Sequence, residues 1–198
     1  MNARPLLPCF ALVLLVLASP AYAQYMYLDS NGNGVHTASD KLHPVHPTVV
    51  DIWLDTAHNR DGSATSCHSN PATPLDMNSY VVDLKASGGT VSYSSYTNRL
   101  PGWAPFGSPH APDETQFCTG LIAGNPSASL PPGKYLLGTL TITVATGDPS
   151  VQIVPRLAPQ FIDPTMFGSH CEEHADESNS IILGMDWFDV DGLDRPGH

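Results

Sequence analysis

An all-β chain folded as an antiparallel β-sandwich with long loops is what the sequence predicts. Two observations carry that prediction. Wherever periodicity is visible, apolar residues alternate with polar ones, the two-residue repeat of a half-buried strand. No 3.6-residue pattern exceeds two turns, and 19 prolines and 16 glycines punctuate the chain too often for long helices.

The chain opens with Arg4, an apolar run from Leu6 to Ala18 broken by Pro8, and the small-x-small sequence Ala21-Tyr22-Ala23. This pattern predicts a signal peptide over residues 1–23, with the mature chain starting at Gln24 and a secreted, extracellular or periplasmic protein as its product. The apolar run is too short for a spanning helix, and no later stretch approaches the ~20 apolar residues a bilayer requires, so no membrane span is expected. Cys9 lies within the apolar run and no cysteine follows the cleavage point, which argues against a lipid anchor.

The formal charge is −11, and removing residues 1–23 takes away Arg4 and no acid, making it one unit more negative. Such a surface repels polyanions, so nucleic acid is not an expected partner. Eight of the 19 acidic residues fall between Glu172 and Asp194, which sets off an acidic C-terminal segment. The mature length suits one well-buried domain. Residues 24–47 form an N-terminal loop segment and residues 48–198 the sandwich with its acidic end.

In order along the chain, Val50, Ile52 and Leu54 share one face of a strand whose other face carries Asp51 and Trp53. The next run turns Tyr80, Val82, Leu84 and Ala86 inward, with Asp83 and Lys85 in water. Ser87-Gly88-Gly89 is expected to reverse the chain, and Thr90 to Tyr96 to return. After a proline-rich loop around Trp103, a short strand is expected near Gln116-Phe117-Cys118. Pro131-Pro132-Gly133 then leads into Lys134 to Thr146, where Leu136, Gly138, Leu140, Ile142 and Val144 oppose an exposed, threonine-rich face. Gly147-Asp148-Pro149 reads as a tight turn to a partner strand, Ser150 to Pro155. Ser180 to Met185 is the last candidate strand, and six to eight short strands are expected in all.

Asp29-Ser30-Asn31-Gly32-Asn33-Gly34-Val35-His36-Thr37-Ala38-Ser39-Asp40 places oxygen-bearing side chains at positions 1, 3, 5, 9 and 12 of a twelve-residue loop. That is the spacing of an EF-hand-type calcium loop. Calcium takes about 6–8 oxygens at about 2.3–2.6 Å, and a chain wraps one so tightly only with glycine at position 6, here Gly34. The expected metal ligands are Asp29, Asn31, Asn33, the backbone carbonyl of Val35, Thr37 and Asp40. Asn33 in place of aspartate, and Asp40 in place of the longer glutamate, point to a weak site of about 10⁻⁴–10⁻³ M.

The run Asn78 to Val91, followed by Leu130 to Val144, resembles the cohesin-like and related carbohydrate-binding-module sandwiches of secreted bacterial proteins, over roughly residues 48 to 155. The resemblance implies a two-sheet jelly-roll fold and a binding or scaffolding role without catalysis. The loop at Asp29 to Asp40 separately resembles the calcium loop of dockerins, which have two such loops, each leading into a full helix. Here the loop is single and meets Pro44 and Pro47 almost at once, so only a helical turn at about 38–42 can follow. The ligands carry over; the docking function does not.

Other constellations compete. Asp55, Asn59 and Asp61 could bind a second cation or form a self-bonded turn. Asp186, Asp189, Asp191 and Asp194 could form another cation site or end a strand anchored by Trp187 and Phe188. His43 with His46, and His170 with Cys171 and His174, have spacings open to zinc, although no HExxH motif accompanies either and Pro44 and Pro47 hold the first pair extended. Cys67, Cys118 and Cys171 allow one disulfide and one leftover thiol; Cys67 with Cys171 is favoured because both sit beside loops that a staple would help, and the pairing stays open. There is no GxSxG elbow and no phosphate-binding GxxxxGK[ST] loop. A secreted, calcium-stabilised, non-catalytic binding or structural module is therefore the leading expectation, with polysaccharide or another secreted protein as partner. The alternatives are a carbohydrate-binding module using an exposed Trp53 or Trp103, and a metal-dependent hydrolase built on the Asp and His loops.

Overall fold

The computed structural model describes residues 24–59, 62–65, 72, 74–104, 118–124, 129–154, 166–168, 180–182 and 187–189. Among these there are eight strands and no helix: β1 Gln24–Asp29, β2 Thr48–Asn59, β3 Ser79–Asn98, β4 Cys118–Gly124, β5 Lys134–Val154, β6 Met166–Gly168, β7 Ser180–Ile182 and β8 Trp187–Asp189. They follow the order β1-β2-β5-β3-β6-β7, with β4 also along β3 and β8 also along β5, and each pairing is antiparallel.

Two strands depart from the short ones expected. β3 runs for 20 residues and β5 for 21, where strands of about 5–6 are usual. Neither Ser87-Gly88-Gly89 nor Gly147-Asp148-Pro149 reverses the chain, and Ser150 to Val154 continues β5 instead of pairing back on it. The pairing runs straight through both: Ser87 faces Ser150, Gly89 faces Gly147 and Thr90 faces Thr146, with the register shifting between Ser87 and Gly89. The turn-forming residues of one strand meet those of the other, so the ribbon bends as a unit and neither strand turns by itself. Gly88 and Gly147 have φ of +77° and +72°. A Cβ on Gly89 would lie 2.4 Å from the Thr146 carbonyl oxygen and 2.8 Å from Pro149 Cδ.

The bent ribbon serves both layers. The first half of β5 lies between β2 and the second half of β3, while the first half of β3 carries β4 and β6 and the second half of β5 carries β8. One core forms between the layers. β2 supplies Val50, Ile52 and Leu54, β3 supplies Tyr80, Val82 and Leu84, β5 supplies Leu137, Leu140, Ile142, Val151 and Ile153, and β6 supplies Phe167. The inward faces expected for β2 and for the start of β3 are those found.

Three side chains lie differently from the alternation. Leu137 is fully buried while Leu136 is only half-buried, because Ile52 pairs with Gly138 and Trp53 with Leu136, leaving Leu137 as the extra residue of a bulge. Thr139, expected in water, is buried; its Oγ1 donates to Asp51 Oδ1 (2.9 Å) and accepts from Arg99 Nε (2.9 Å). Asp83, also expected in water, is fully buried. Its strand is central there, with β4 on one edge and β5 on the other, and Val81 on the same face is buried as well.

Tyr80 and Tyr96 meet hydroxyl to hydroxyl, and Tyr80 also reaches Asn98 Oδ1 and the Leu137 carbonyl, each at 3.3 Å. Burial pushes the Tyr96 phenol up to about 12, the hydrogen bond to Tyr80 partly opposing it. Burial, reinforced by the neighbouring Tyr96, raises Tyr80 further. Tyrosines of the unfolded chain ionise near 10, so the folded state keeps its phenolic protons longer. The stability they provide is whole below about pH 10 and falls as pH rises through about 12. Urea unfolding across that range should show a steep alkaline loss that Tyr96→Phe makes shallower; equal slopes in the two proteins would count against the pair.

Candidate metal centre

The loop between β1 and β2 is built on two carboxylates. Asp29 ends β1 and is 1% exposed; Asp40 is 0% exposed. Asp29 Oδ1 accepts the amides of Asn31 (3.0 Å) and Gly32 (2.7 Å), and its Oδ2 accepts that of Gly34 (2.6 Å). Asp40 Oδ1 accepts the amides of Ser30 (2.8 Å) and Asn31 (3.2 Å), and its Oδ2 accepts the amide of Thr37 (2.8 Å) and, at 3.4 Å, the Thr37 hydroxyl. The two carboxylates thus share the Asn31 amide, which brings positions 1 and 12 of the loop together across its neck.

Side-chain oxygens at positions 3 and 5 repeat the motif one turn further out. Asn31 Oδ1 accepts the Asn33 amide (3.1 Å) and Asn33 Oδ1 accepts the Val35 amide (2.8 Å). Asn31 Nδ2 donates to Ser39 Oγ (2.8 Å), which ties the outgoing limb to the returning one. Asp29, Asn31, Thr37 and Asp40 are therefore knotted together, while Asn33 and Val35 form the exposed tip. In place of the helical turn expected at about 38–42 there is a reverse turn closed by the Asp40 amide on the Thr37 carbonyl (2.9 Å), after which Leu42 enters the core.

The donor set is all oxygen: two carboxylates, two amide carbonyls, one hydroxyl and backbone carbonyls. Such a set suits a hard cation and does not suit zinc. Among the described residues the donors to Asp29 are backbone amides, and His36 Nδ1 lies 4.0 Å from Asp40 Oδ2. That nitrogen sits closer to the Leu28 carbonyl, at 2.7 Å.

An anchor that no local signal announces holds the loop to the sheet. The Gly34 carbonyl accepts from the Tyr27 hydroxyl (2.7 Å) and from Lys134 Nζ, 100 positions away. The Lys134 ammonium lies 5.4 Å and 5.3 Å from the ring centroids of Tyr27 and Trp53. These rings stack at 6.4 Å and 7°. A Cβ on Gly34 would come within 3.6 Å of Trp53, so the loop rests on that indole. Such cation–π contacts contribute about 0.5–2 kcal/mol each.

Trp53 and Trp103 do not form the exposed platform that sugar stacking would need. Trp53 is half-buried beside Tyr27 and Lys134, and Trp103 is 8% exposed and stacks on Tyr80 at 6.0 Å. Both are packing residues because their strand and loop positions place them against neighbouring aromatic rings. The side chain of Trp187 lies outside the described residues.

Asp55 follows the self-bonded reading. Its Oδ1 accepts the amides of Ala57 (2.8 Å) and His58 (2.9 Å), and its Oδ2 lies 3.3 Å from His58 Nδ1. The side chains of Asn59 and Asp61 lie outside the described residues, as do those of Asp186, Asp189, Asp191 and Asp194. The rings of His43 and His46 approach to 4.5 Å, but His43 Nδ1 accepts the amides of Val45 (3.2 Å) and His46 (3.0 Å). Among the described residues no group of three or more His, Cys, Asp or Glu side chains is placed to hold a metal. Residues 1–23, Cys67, His170, Cys171, His174 and the Cys118 side chain lie outside the described residues. No described helix is long and apolar enough to cross a membrane.

No protein-family model matches the chain, and no curated protein matches it. Solved structures do. A cohesin module from a family 33 glycoside hydrolase of Clostridium perfringens is similar with a TM-score of 0.53 at 6% identity, covering 85% of this chain and 96% of the module. The seventh ScaB type I cohesin of Pseudobacteroides cellulosolvens matches at a TM-score of 0.44 and 13% identity, covering 80% of this chain and 86% of that one. The sixth cohesin of scaffoldin B from Acetivibrio cellulolyticus, solved with a Cel5 dockerin, matches at 0.43 and 12%, covering 74% and 86%. With its antiparallel strands and single core, the chain has a cohesin-like β-sandwich fold.

Proposed function

We propose that this chain is a secreted, calcium-stabilised β-sandwich module that binds another protein or serves a structural role, without catalysing a reaction. The observation that carries the calcium reading is the pair of buried carboxylates, Asp29 and Asp40, drawn together over one backbone amide in an all-oxygen loop. A hard dication takes carboxylate oxygens such as these, whose hydrogen-bond donors are backbone amides and hydroxyls. The ligands are Asp29, Asn31, Asn33, the Val35 carbonyl, Thr37 and Asp40. The cohesin-like fold supports the module reading, since the Clostridium perfringens neighbour is itself a module of a glycoside hydrolase. The packing of Trp53 on Tyr27 and the burial of Trp103 against Tyr80 favour a protein partner over a polysaccharide.

The test is thermal unfolding of residues 24–198 in excess calcium and in chelator, alongside Asp29→Ala. A ligand that binds only the folded state stabilises it by about 2.7 kcal/mol at a hundred times its Kd. The native protein should melt higher in calcium and Asp29→Ala should show no difference. A native melt indifferent to chelator would dispose of the calcium reading.

A further inference from the structure

The glycines that let the loop turn also make two of its candidate ligands chemically labile. Asn31 precedes Gly32 and Asn33 precedes Gly34. When asparagine is followed by glycine, no side chain hinders attack of the next backbone nitrogen on the amide carbon. Both glycines have positive φ, +73° and +74°, so a bulkier residue is not readily accommodated at either position. Asn31 and Asn33 are exposed to water.

The two nitrogens that would attack are both held by one side chain. The amide of Gly32 donates to Asp29 Oδ1 at 2.7 Å and that of Gly34 to Asp29 Oδ2 at 2.6 Å. A charge-assisted bond of this kind is among the stronger hydrogen bonds, and it must break before the nitrogen can lose its proton and turn toward the asparagine. The asparagines are held unequally. Asn31 is fixed at both ends, Oδ1 by the Asn33 amide and Nδ2 by Ser39, whereas Asn33 is fixed through Oδ1 by the Val35 amide.

We propose that Asn33-Gly34, and more slowly Asn31-Gly32, is a spontaneous deamidation site that the Asp29 carboxylate keeps closed in the folded loop. On opening, the Gly34 nitrogen gives up its proton and bonds to Asn33 Cγ. The Cγ–Nδ2 bond breaks and the nitrogen leaves as ammonia, producing a succinimide. Water then opens the ring: cleavage at the new Cγ–N bond leaves aspartate, and cleavage at the backbone carbonyl leaves isoaspartate. Nothing is oxidised or reduced, and water is the sole co-reactant. Aspartate at Asn33 adds a carboxylate at loop position 5. Isoaspartate lengthens the backbone by one carbon and disrupts the loop. A local opening of the loop would thus leave a lasting chemical record. The clamp consists of hydrogen bonds to Asp29 and holds with or without a cation.

The test is the rate of amide-to-acid mass gain at Asn33 and Asn31, followed by peptide mass spectrometry in mildly alkaline buffer. The samples are the folded chain, the same chain unfolded in urea, and Asp29→Asn. If reaction requires local opening, the folded rate is the unfolded rate scaled by the open fraction, so a suppression of about tenfold or more is expected. Asn33 should convert before Asn31, and Asp29→Asn, which loses one carboxylate oxygen, should be faster than the native protein. Equal rates at Asn33 in the folded and unfolded native chain would overturn the proposal, and that comparison needs no variant to fold. If Asp29→Asn folds, as its melt will show, a rate no faster than native would overturn it as well. A chelator arm separates the two readings: acceleration by Asp29→Asn without acceleration by chelator supports the clamp. Acceleration of the native protein by chelator would overturn a clamp that holds without a cation, and the calcium reading stands or falls on the melt alone.

Discussion

Gly89→Ala is expected to destabilise the protein by about 3 kcal/mol, as overpacking against atoms that cannot move aside. The added methyl would sit 2.4 Å from the Thr146 carbonyl oxygen, 2.8 Å from Pro149 Cδ and 2.9 Å from Pro149 N. Two of these are backbone atoms and the third belongs to a rigid ring, so the strands themselves must separate. They separate where both bend, and the pairing Gly89–Gly147 and Thr90–Thr146 is what joins one layer of the sandwich to the other. Gly138 makes a useful contrast. A Cβ there would meet the Tyr96 ring at 2.4 Å, but that ring is the end of a side chain, and turning it costs the hydroxyl contact with Tyr80 while leaving the strand pairing in place. Urea unfolding of Gly89→Ala and Gly138→Ala should therefore rank the former as more damaging. The reverse ranking would mean the bend tolerates widening.

Asp40→Ala should cost about 3–5 kcal/mol in chelator, before any cation is considered, because an unpaired buried donor costs about 1–3 kcal/mol. The change strands the amides of Ser30 and Thr37 and removes one of the two acceptors of the Asn31 amide. Asp40→Asn keeps one acceptor oxygen in nearly the same shape and should cost less than half as much. In calcium the gap between native protein and Asp40→Ala should widen, since the native state alone gains the ligand. A Tm for Asp40→Ala equal to native in chelator would show that the knot is replaced by water without loss.

Local spacing made the loop legible. Asp29 and Asp40 are eleven residues apart with glycines between, and each partner amide lies within ten positions of its carboxylate. The strand faces of Val50, Ile52 and Leu54, and of Tyr80, Val82 and Leu84, were equally open to reading because alternation is a property of neighbours. What escaped was non-local. A glycine pair signals a reversal or a bend with the same residues, and only the opposite strand decides which. Leu137 turns inward because β2 skips it, and Asp83 is buried because strands flank it on both edges. Lys134 gives no hint, in its own surroundings, of an anchor for a loop 100 residues earlier. Trp103 left packing and exposure both open, for want of any local sign that Tyr80 would stack on it.

The bent ribbon also sets a pace for the molecule. Its hydrogen bonds join partners such as Thr90 and Thr146, which are 56 positions apart, so a long stretch of chain must close before any of them forms. Folding that waits on such distant pairings belongs to the slow, millisecond-to-second regime of β-rich domains. While β3 and β5 remain unpaired, their long apolar faces and free edges are open to other chains. The strands that unite the two layers in the finished protein are thus the ones most exposed to aggregation while it is being made.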